Sequence, residues 1–149
     1  LYNCYWLNMC GIAGALITKN SSVNINLYDL IPDMVSQLEH RGPNNKDIKI
    51  KDNVGFGHTR LAVIDISSAG NQPMITDDGK LMLIFNGEIY NFKELKKILL
   101  KYNFKFQSDS DTEVILYGYK LWGKDIFNKL QGMFAIAIWD NEVGELILA

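Results

Sequence analysis

Cys10 is the residue whose chemistry depends most on its neighbours. It follows Met9 and precedes Gly11-Ile12-Ala13-Gly14. A thiol followed by small residues and a buried strand can be presented at a strand tip. Removal of Met9 would leave Cys10 with both a thiol and a free α-amine. An α-amine has a pKa of about 8 and is a usable base near neutrality. Nucleophile and base would then share one residue. Taken alone, Cys-Gly reads more simply as a small buried cysteine at a strand start. Further along, Asn86-Gly87 pairs a side-chain amide with a backbone N–H that no Cβ shields. Such donors can converge on the oxyanion of a tetrahedral intermediate; the same dipeptide is also a common turn. Arg60 lies in a strand-like run, where a buried guanidinium needs a carboxylate partner. That partner is a ligand, an internal ion pair, or none if the side chain faces solvent. Asp111 follows Ser110 at a helix start, where the helix dipole alone explains a carboxylate. His40 and His58 invite a Cys–His dyad, which the motifs around them disfavour.

These residues need elements to position them. Residues 11–17 form a short apolar run, consistent with a buried strand. Leu27, Leu30, Ile31, Met34, Val35 and Leu38 carry helical spacing on one apolar face, ending near His40 because Gly42-Pro43 cannot continue a helix. Strands are expected over 48–50 and 56–64, followed by a loop over 67–73. Asp77-Asp78-Gly79 reads as a hairpin turn between 74–76 and 81–85. Asn91 with Glu94, and Ser110 with Glu113, have the spacing of helix-capping boxes. Residues 133–139 are apolar on both faces, as a central strand should be, and a turn over 140–144 leads to a last strand. Strands and helices in mixed order, with hairpins, favour α+β layers.

The composition narrows the function classes. A net charge of −2 over 149 residues offers no basic patch for nucleic acid or an anionic membrane. The 48% apolar and 21% charged balance is that of a globular chain and not a disordered one. No apolar run is long enough to span a bilayer. Cys4 and Cys10 form neither a disulfide framework nor a zinc-ligand pattern, so no metal is expected and a reducing, cytoplasmic compartment is the default. No glycine-rich phosphate loop is present.

Five sequence words stand in order: His40-Arg41-Gly42-Pro43, Gly57-His58-Thr59-Arg60-Leu61, Phe85-Asn86-Gly87-Glu88-Ile89-Tyr90-Asn91, Ser110-Asp111-Thr112-Glu113 and Gly132-Met133-Phe134-Ala135. Together with Met9-Cys10-Gly11 they resemble the class II glutamine amidotransferase domain, most closely in its asparagine synthetase branch. The resemblance covers residues 9–149 and implies the N-terminal-nucleophile hydrolase αββα sandwich, two antiparallel sheets between helix layers. It also implies glutaminase chemistry: Cys10 as nucleophile, Asn86 and Gly87 as oxyanion donors. Arg60 would then bind the α-carboxylate of glutamine and Asp111 its α-ammonium, with Glu88 nearby. Leu61 and Val63 would offer backbone carbonyls. The family uses no histidine base. Arg41 would close a loop over the site, contributing packing or an ion pair, while residues 132–140 would have no chemical role.

The same resemblance implies a C-terminal synthetase domain in the full chain. That domain would use ATP and magnesium to pass ammonia to aspartate, with no cofactor in residues 9–149 and a homodimer allowed. Residues 1–8 are expected to be an artefactual extension or a propeptide, and the C-terminal end reads as truncated within the domain. Two rivals remain. One is the glutaminase domain of another class II enzyme, amidating a sugar or peptide or forming glucosamine phosphate or phosphoribosylamine. The other is a catalytically silent regulatory domain.

Overall fold

The computed structural model describes residues 9–18 and 25–149. The expected extension over residues 1–8, Cys4 included, lies outside them. The chain builds two antiparallel sheets. The first has the order β1 (Gly11–Leu16), β3 (Val54–Arg60), β2 (Asn45–Lys51). The second has the order β4 (Met74–Ile75), β5 (Leu81–Ile89), β6 (Gly132–Asp140), β7 (Glu145–Leu148). Helix α1 (Leu27–Ser36) covers the first sheet; α2 (Phe92–Lys101) and α3 (Asp111–Trp122) cover the second. The expected α+β sandwich of helix, sheet, sheet and helix is what forms.

The period-two alternation of strand side chains explains the layers. Along β3, Val54 and Phe56 point between the sheets and pack with Met82 and Ile84 of β5 and Ala137 and Trp139 of β6. On its other face β3 carries Gly55 and Gly57, which let α1 approach closely. A Cβ at Gly55 would lie 2.7 Å from Ile31, and one at Gly57 2.1 Å from Val35. Helix α1 buries Leu27, Ile31 and Val35 there, and the Asn26 side chain caps it by accepting from Tyr28 N at 3.0 Å. On the far side of the second sheet, Leu81, Leu83, Phe85 and Ile89 meet Leu95 and Leu99 of α2 and Val114 and Ile115 of α3. Each such fully buried aliphatic side chain contributes about 1.5–3 kcal/mol.

Five expectations need correction. The strand expected over 56–64 stops at Arg60, because the next residues turn out of the sheet to surround its guanidinium. The strand expected to end at Phe85 continues through Asn86 and Gly87 to Ile89, paired with Ala135, Phe134 and Gly132 of β6. Asn86-Gly87 is therefore no turn. Helix α1 ends at Ser36, and residues 37–41 form turns. Asn91 precedes α2, but its side chain donates to Lys129 O at 2.8 Å and accepts from Gln131 N at 3.0 Å, so no capping bond forms. At Ser110 only half of the box forms. Its hydroxyl accepts from Glu113 N, while the Glu113 carboxylate takes the amides of Gln107 and Ser108.

The tight α1–β3 contact makes one stability prediction. Gly57→Ala pushes a methyl group into Val35 and should destabilise the domain by about 1–3 kcal/mol, the usual cost of overpacking. The expected readout is a lower urea midpoint at an unchanged m-value.

Candidate active site

Register sets Cys10 beside Arg60. Gly11 pairs with Thr59, so the next step of the β1–β3 ladder brings Cys10 alongside Arg60. Alternation places Ile12 and Gly14 on the inter-sheet side, and Cys10 shares that side. In β5, Asn86 follows Met82 and Ile84 on the face turned toward the first sheet. Cys10, Arg60 and Asn86 thus meet at one end of the gap between the sheets. A cavity of about 220 Å³ opens there, and Leu61, Val63, Gly87, Glu88 and Asp111 also line it. All eight residues expected from the sequence border this one cavity.

The backbone around Cys10 is held at several points. Gly11 N donates to Thr59 Oγ1 at 3.1 Å, and a Cβ on Gly11 would lie 2.5 Å from that oxygen. Arg41 Nε donates to Cys10 O at 3.2 Å; among the described residues it makes this bond and no ion pair. Leu61 N donates to Cys10 Sγ at 3.3 Å, and the thiol lies 3.6 Å from Leu61 O. The sulfur is therefore fixed against the first residue beyond β3.

Arg60 is 7% exposed. Its Nη1 donates to Ser67 O at 2.6 Å and to Asn71 Oδ1 at 2.7 Å, and its Nη2 donates to Asp65 O. A Cβ on Gly70 would lie 2.5 Å from Nη2, so glycine is needed where the loop passes the guanidinium. Among the described residues no carboxylate stands within ion-pair distance of Arg60. Neutral carbonyls aim the group without cancelling its charge. This removes both the internal ion pair and the solvent-facing side chain as explanations.

Asp111 is the first residue of α3 and is 5% exposed. Its Oδ2 accepts from Ile89 N at 3.0 Å, and among the described residues it too lacks an ion-pair partner. Burial pushes its carboxyl above the usual range and the nearby Glu88 charge adds to this, against the pull of the Ile89 and Thr112 amides. The cavity is thus lined by a buried guanidinium and a buried carboxyl, neither of them in an ion pair among the described residues.

Gly87 adopts φ +155°, and a Cβ there would lie 2.1 Å from Met133 O. Opposite it, a Cβ on Gly132 would lie 2.0 Å from Glu88 O. The two strands approach so closely that neither site accommodates a side chain. Beside them Asn86 is half-buried and Glu88 exposed at the cavity mouth.

Comparison with known proteins agrees with this geometry. Residues 9–149 match the family model described as "Glutamine amidotransferase domain". The chain belongs to the glutamine amidotransferase domain family. It is 39% identical over 133 residues to asparagine synthetase [glutamine-hydrolyzing] 1 of Bacillus subtilis, covering 89% of this chain and 21% of that protein. It is 37% identical to asparagine synthetase B [glutamine-hydrolyzing] of Escherichia coli, covering 90% and 24%. It is also 35% identical to amidase chry2 of Gibberella zeae, covering 95% and 22%. Among solved structures, glutamine phosphoribosylpyrophosphate amidotransferase from B. subtilis aligns with a TM-score of 0.51 at 28% identity, over 62% of this chain and 22% of that one. The fold is therefore the N-terminal-nucleophile hydrolase sandwich of class II amidotransferases. The chain spans between 18% and 28% of the length of the curated relatives it matches.

Several cavity residues of this amidotransferase domain carried no signal in the sequence. Gln72 is buried and its amide is fully used, accepting from Phe85 N at 2.6 Å and donating to Thr112 Oγ1 at 3.2 Å. It ties β5 to α3 beneath the substrate space, and only a contact between distant segments reveals that. Met133 lines the mouth at 67% exposure, so the start of β6 is part of the site and not plain core. A run that is apolar on both faces gave no reason to expect it.

Neither histidine lines the cavity. His40 is exposed, and among the described residues none is aimed at the thiol as a base. His58 is fully buried between the sheets next to Arg60, and neither ring nitrogen reaches a partner at hydrogen-bonding geometry. Burial lowers its pKa from 6.5 to about 4. The Phe85 main chain opposes the shift and the Arg60 charge adds to it. The folded state thus keeps His58 neutral while the unfolded chain binds a proton below pH 6.5. The stability it contributes is full above pH 6.5 and falls as pH drops toward 4, by about 3 kcal/mol across that window. Denaturant titrations at a series of pH values should show this decline, and His58→Leu should flatten it.

Among the described residues no group of three or more His, Cys, Asp or Glu side chains could hold a metal ion. No helix there is long and apolar enough to cross a membrane.

Proposed function

We propose that this domain hydrolyses free glutamine to glutamate and ammonia, with Cys10 as nucleophile, and delivers the ammonia to an ATP-dependent synthetase domain of the same chain. The observation that carries this reading is the pair of buried, uncompensated charges beside a thiol. An amino-acid zwitterion satisfies both at once: its α-carboxylate meets Arg60 and its α-ammonium meets Asp111. A glutamine side chain within a polypeptide has neither charge and is refused.

In the proposed reaction the Cys10 sulfur attacks the carboxamide carbon while the thiol proton passes to the Cys10 α-amine. Asn86 and the Gly87 amide hold the oxyanion. The α-ammonium returns its proton to the leaving nitrogen, the C–N bond breaks, and ammonia departs from a γ-glutamyl thioester. Water then adds to the thioester, and cleavage of the C–S bond releases glutamate and restores the thiol. Each step needs an unacylated Cys10 nitrogen, so the working form begins at Cys10, without residues 1–9.

No step above passes through ATP or magnesium. Both belong to the synthetase domain. Aspartate is the proposed acceptor, on the strength of the asparagine synthetases among the relatives. A homodimer and a cytoplasmic location complete the reading.

Ammonia release from glutamine by the full chain tests it. Cys10→Ala should lower kcat by more than about a thousandfold, as loss of a nucleophile does. Arg60→Met should raise the glutamine KM by about a hundredfold, the scale of losing one partner of a buried charge pair. Intact-mass measurement of active protein should show Cys10 at the N-terminus; activity in protein that keeps Met9 would remove the α-amine mechanism.

A further inference from the structure

The loop after β3 holds one more group that borders the cavity and belongs to neither the nucleophile nor the two charge-reading side chains. Asp65 lines the cavity and is half-buried. Its Oδ1 accepts from Ser67 N at 2.7 Å, within its own loop. Its Oδ2 accepts from Asp109 N at 2.9 Å, across a sequence separation of 44 residues. Its backbone carbonyl accepts from Arg60 Nη2, and the Ser67 carbonyl accepts from Nη1. One residue therefore holds the guanidinium with its main chain, braces the second carbonyl with one carboxylate oxygen, and reaches the Asp109 loop with the other.

That second loop is anchored independently. Lys96 of α2 donates to Ser108 O at 2.9 Å and to Asp109 Oδ1 at 2.8 Å. The Glu113 carboxylate accepts from Ser108 N at 2.8 Å and from Ser108 Oγ at 2.6 Å. Asp111 follows two residues after Asp109, at the first position of α3. Asp65 thus joins a loop that carries Arg60's carbonyl partners to a fixed platform that carries Asp111. The hydrogen bonds from Ser67 and Asp109 also hold its carboxyl below the usual range, so the clamp stays ionised near neutrality.

We propose that Asp65 is a positioning residue that sets the separation between Arg60 and Asp111, so that the α-carboxylate and α-ammonium of one glutamine are read together. The proposal rests on the glutaminase reading of the cavity. Its distinguishing consequence concerns ligands that carry only one of the two charges. Such a ligand uses either Arg60 or Asp111 and never the distance between them. Loss of the clamp should therefore penalise glutamine alone.

The experiment compares the full chain with Asp65→Ala and Asp65→Asn. Substrates are glutamine, 4-aminobutanamide (no α-carboxylate) and glutaramate (no α-ammonium). Asp65→Ala should raise the glutamine KM by about tenfold, the scale of losing a charge-assisted hydrogen bond. Its kcat should stay within about twofold, because the interaction lost is one of binding and not of the transition state. Asp65→Asn keeps one carboxamide oxygen as acceptor and should fall between. The kcat/KM values for the two single-charge amides should not change. An unchanged glutamine KM in both variants overturns the proposal. So does a parallel fall in kcat/KM for all three substrates, which marks general loosening of the loop. Ammonia release that persists in Cys10→Ala would instead sink the thioester reading, and the two failures are read from different proteins.

Discussion

A guanidinium and a carboxylate held out of water beside one small cavity, each hydrogen-bonded but neither in an ion pair among the described residues, are the constraint on which the rest of this domain turns. Burying either charge alone is costly. Arg60 is kept charged and aimed by carbonyl dipoles, and Asp111 is held by an amide and a helix start. Neither arrangement neutralises its charge. Within a protein of marginal stability, such a pair persists only where the surrounding packing fixes it. The inter-sheet core on one side and the β5–α3 core on the other supply that packing. Under the glutaminase reading, these two charges are available as binding energy for a ligand with the complementary pair.

Close approach is the second requirement, and it explains why glycines cluster here. Gly11 lets the Thr59 hydroxyl hold the amide next to the nucleophile. Gly70 lets the loop pass against the Arg60 guanidinium. Gly87 and Gly132 let β5 and β6 meet closely beside Asn86. At each place a methyl group would collide with backbone or with the group being positioned. The contact between helix α1 and β3 follows the same rule at Gly55 and Gly57. Donors fixed before the substrate arrives need no reorganisation during reaction, which is the main advantage of an oxyanion site built into a sheet.

The cavity-lining residues were legible in the sequence because ordered words carried them, and the architecture was legible because periodicity separated helix from strand. What stayed hidden depended on partners distant in sequence. Arg60 looked like a strand residue in need of a carboxylate; three carbonyl oxygens, from Asp65, Ser67 and Asn71, serve it instead. They also explain why β3 stops there. Asn91 had the spacing of a helix cap, yet its amide bonds Lys129 and Gln131, some forty residues on. Gln72 and Met133 have no local pattern at all; their place at the cavity comes from the packing of β5 on α3 and on β6. Propensity and spacing describe what a segment can do alone, and tertiary hydrogen bonds then select among those options.

Geometry and competence are separable in this domain. The contacts that place the sulfur use the Leu61 amide, and those that place the Cys10 main chain use Arg41 and Thr59. None of them uses the Cys10 nitrogen. A chain that keeps Met9 can therefore fold with the thiol, the two charges and the oxyanion donors in position, and still lack a base, because its Cys10 nitrogen is an amide. Met9, the residue that acylates that nitrogen, also borders the cavity. Under the glutaminase reading, removal of Met9 supplies the base and takes away a lining residue of the cavity at the same time. The folded site requires no rearrangement for that change, since every group that orients the nucleophile lies downstream of the cut.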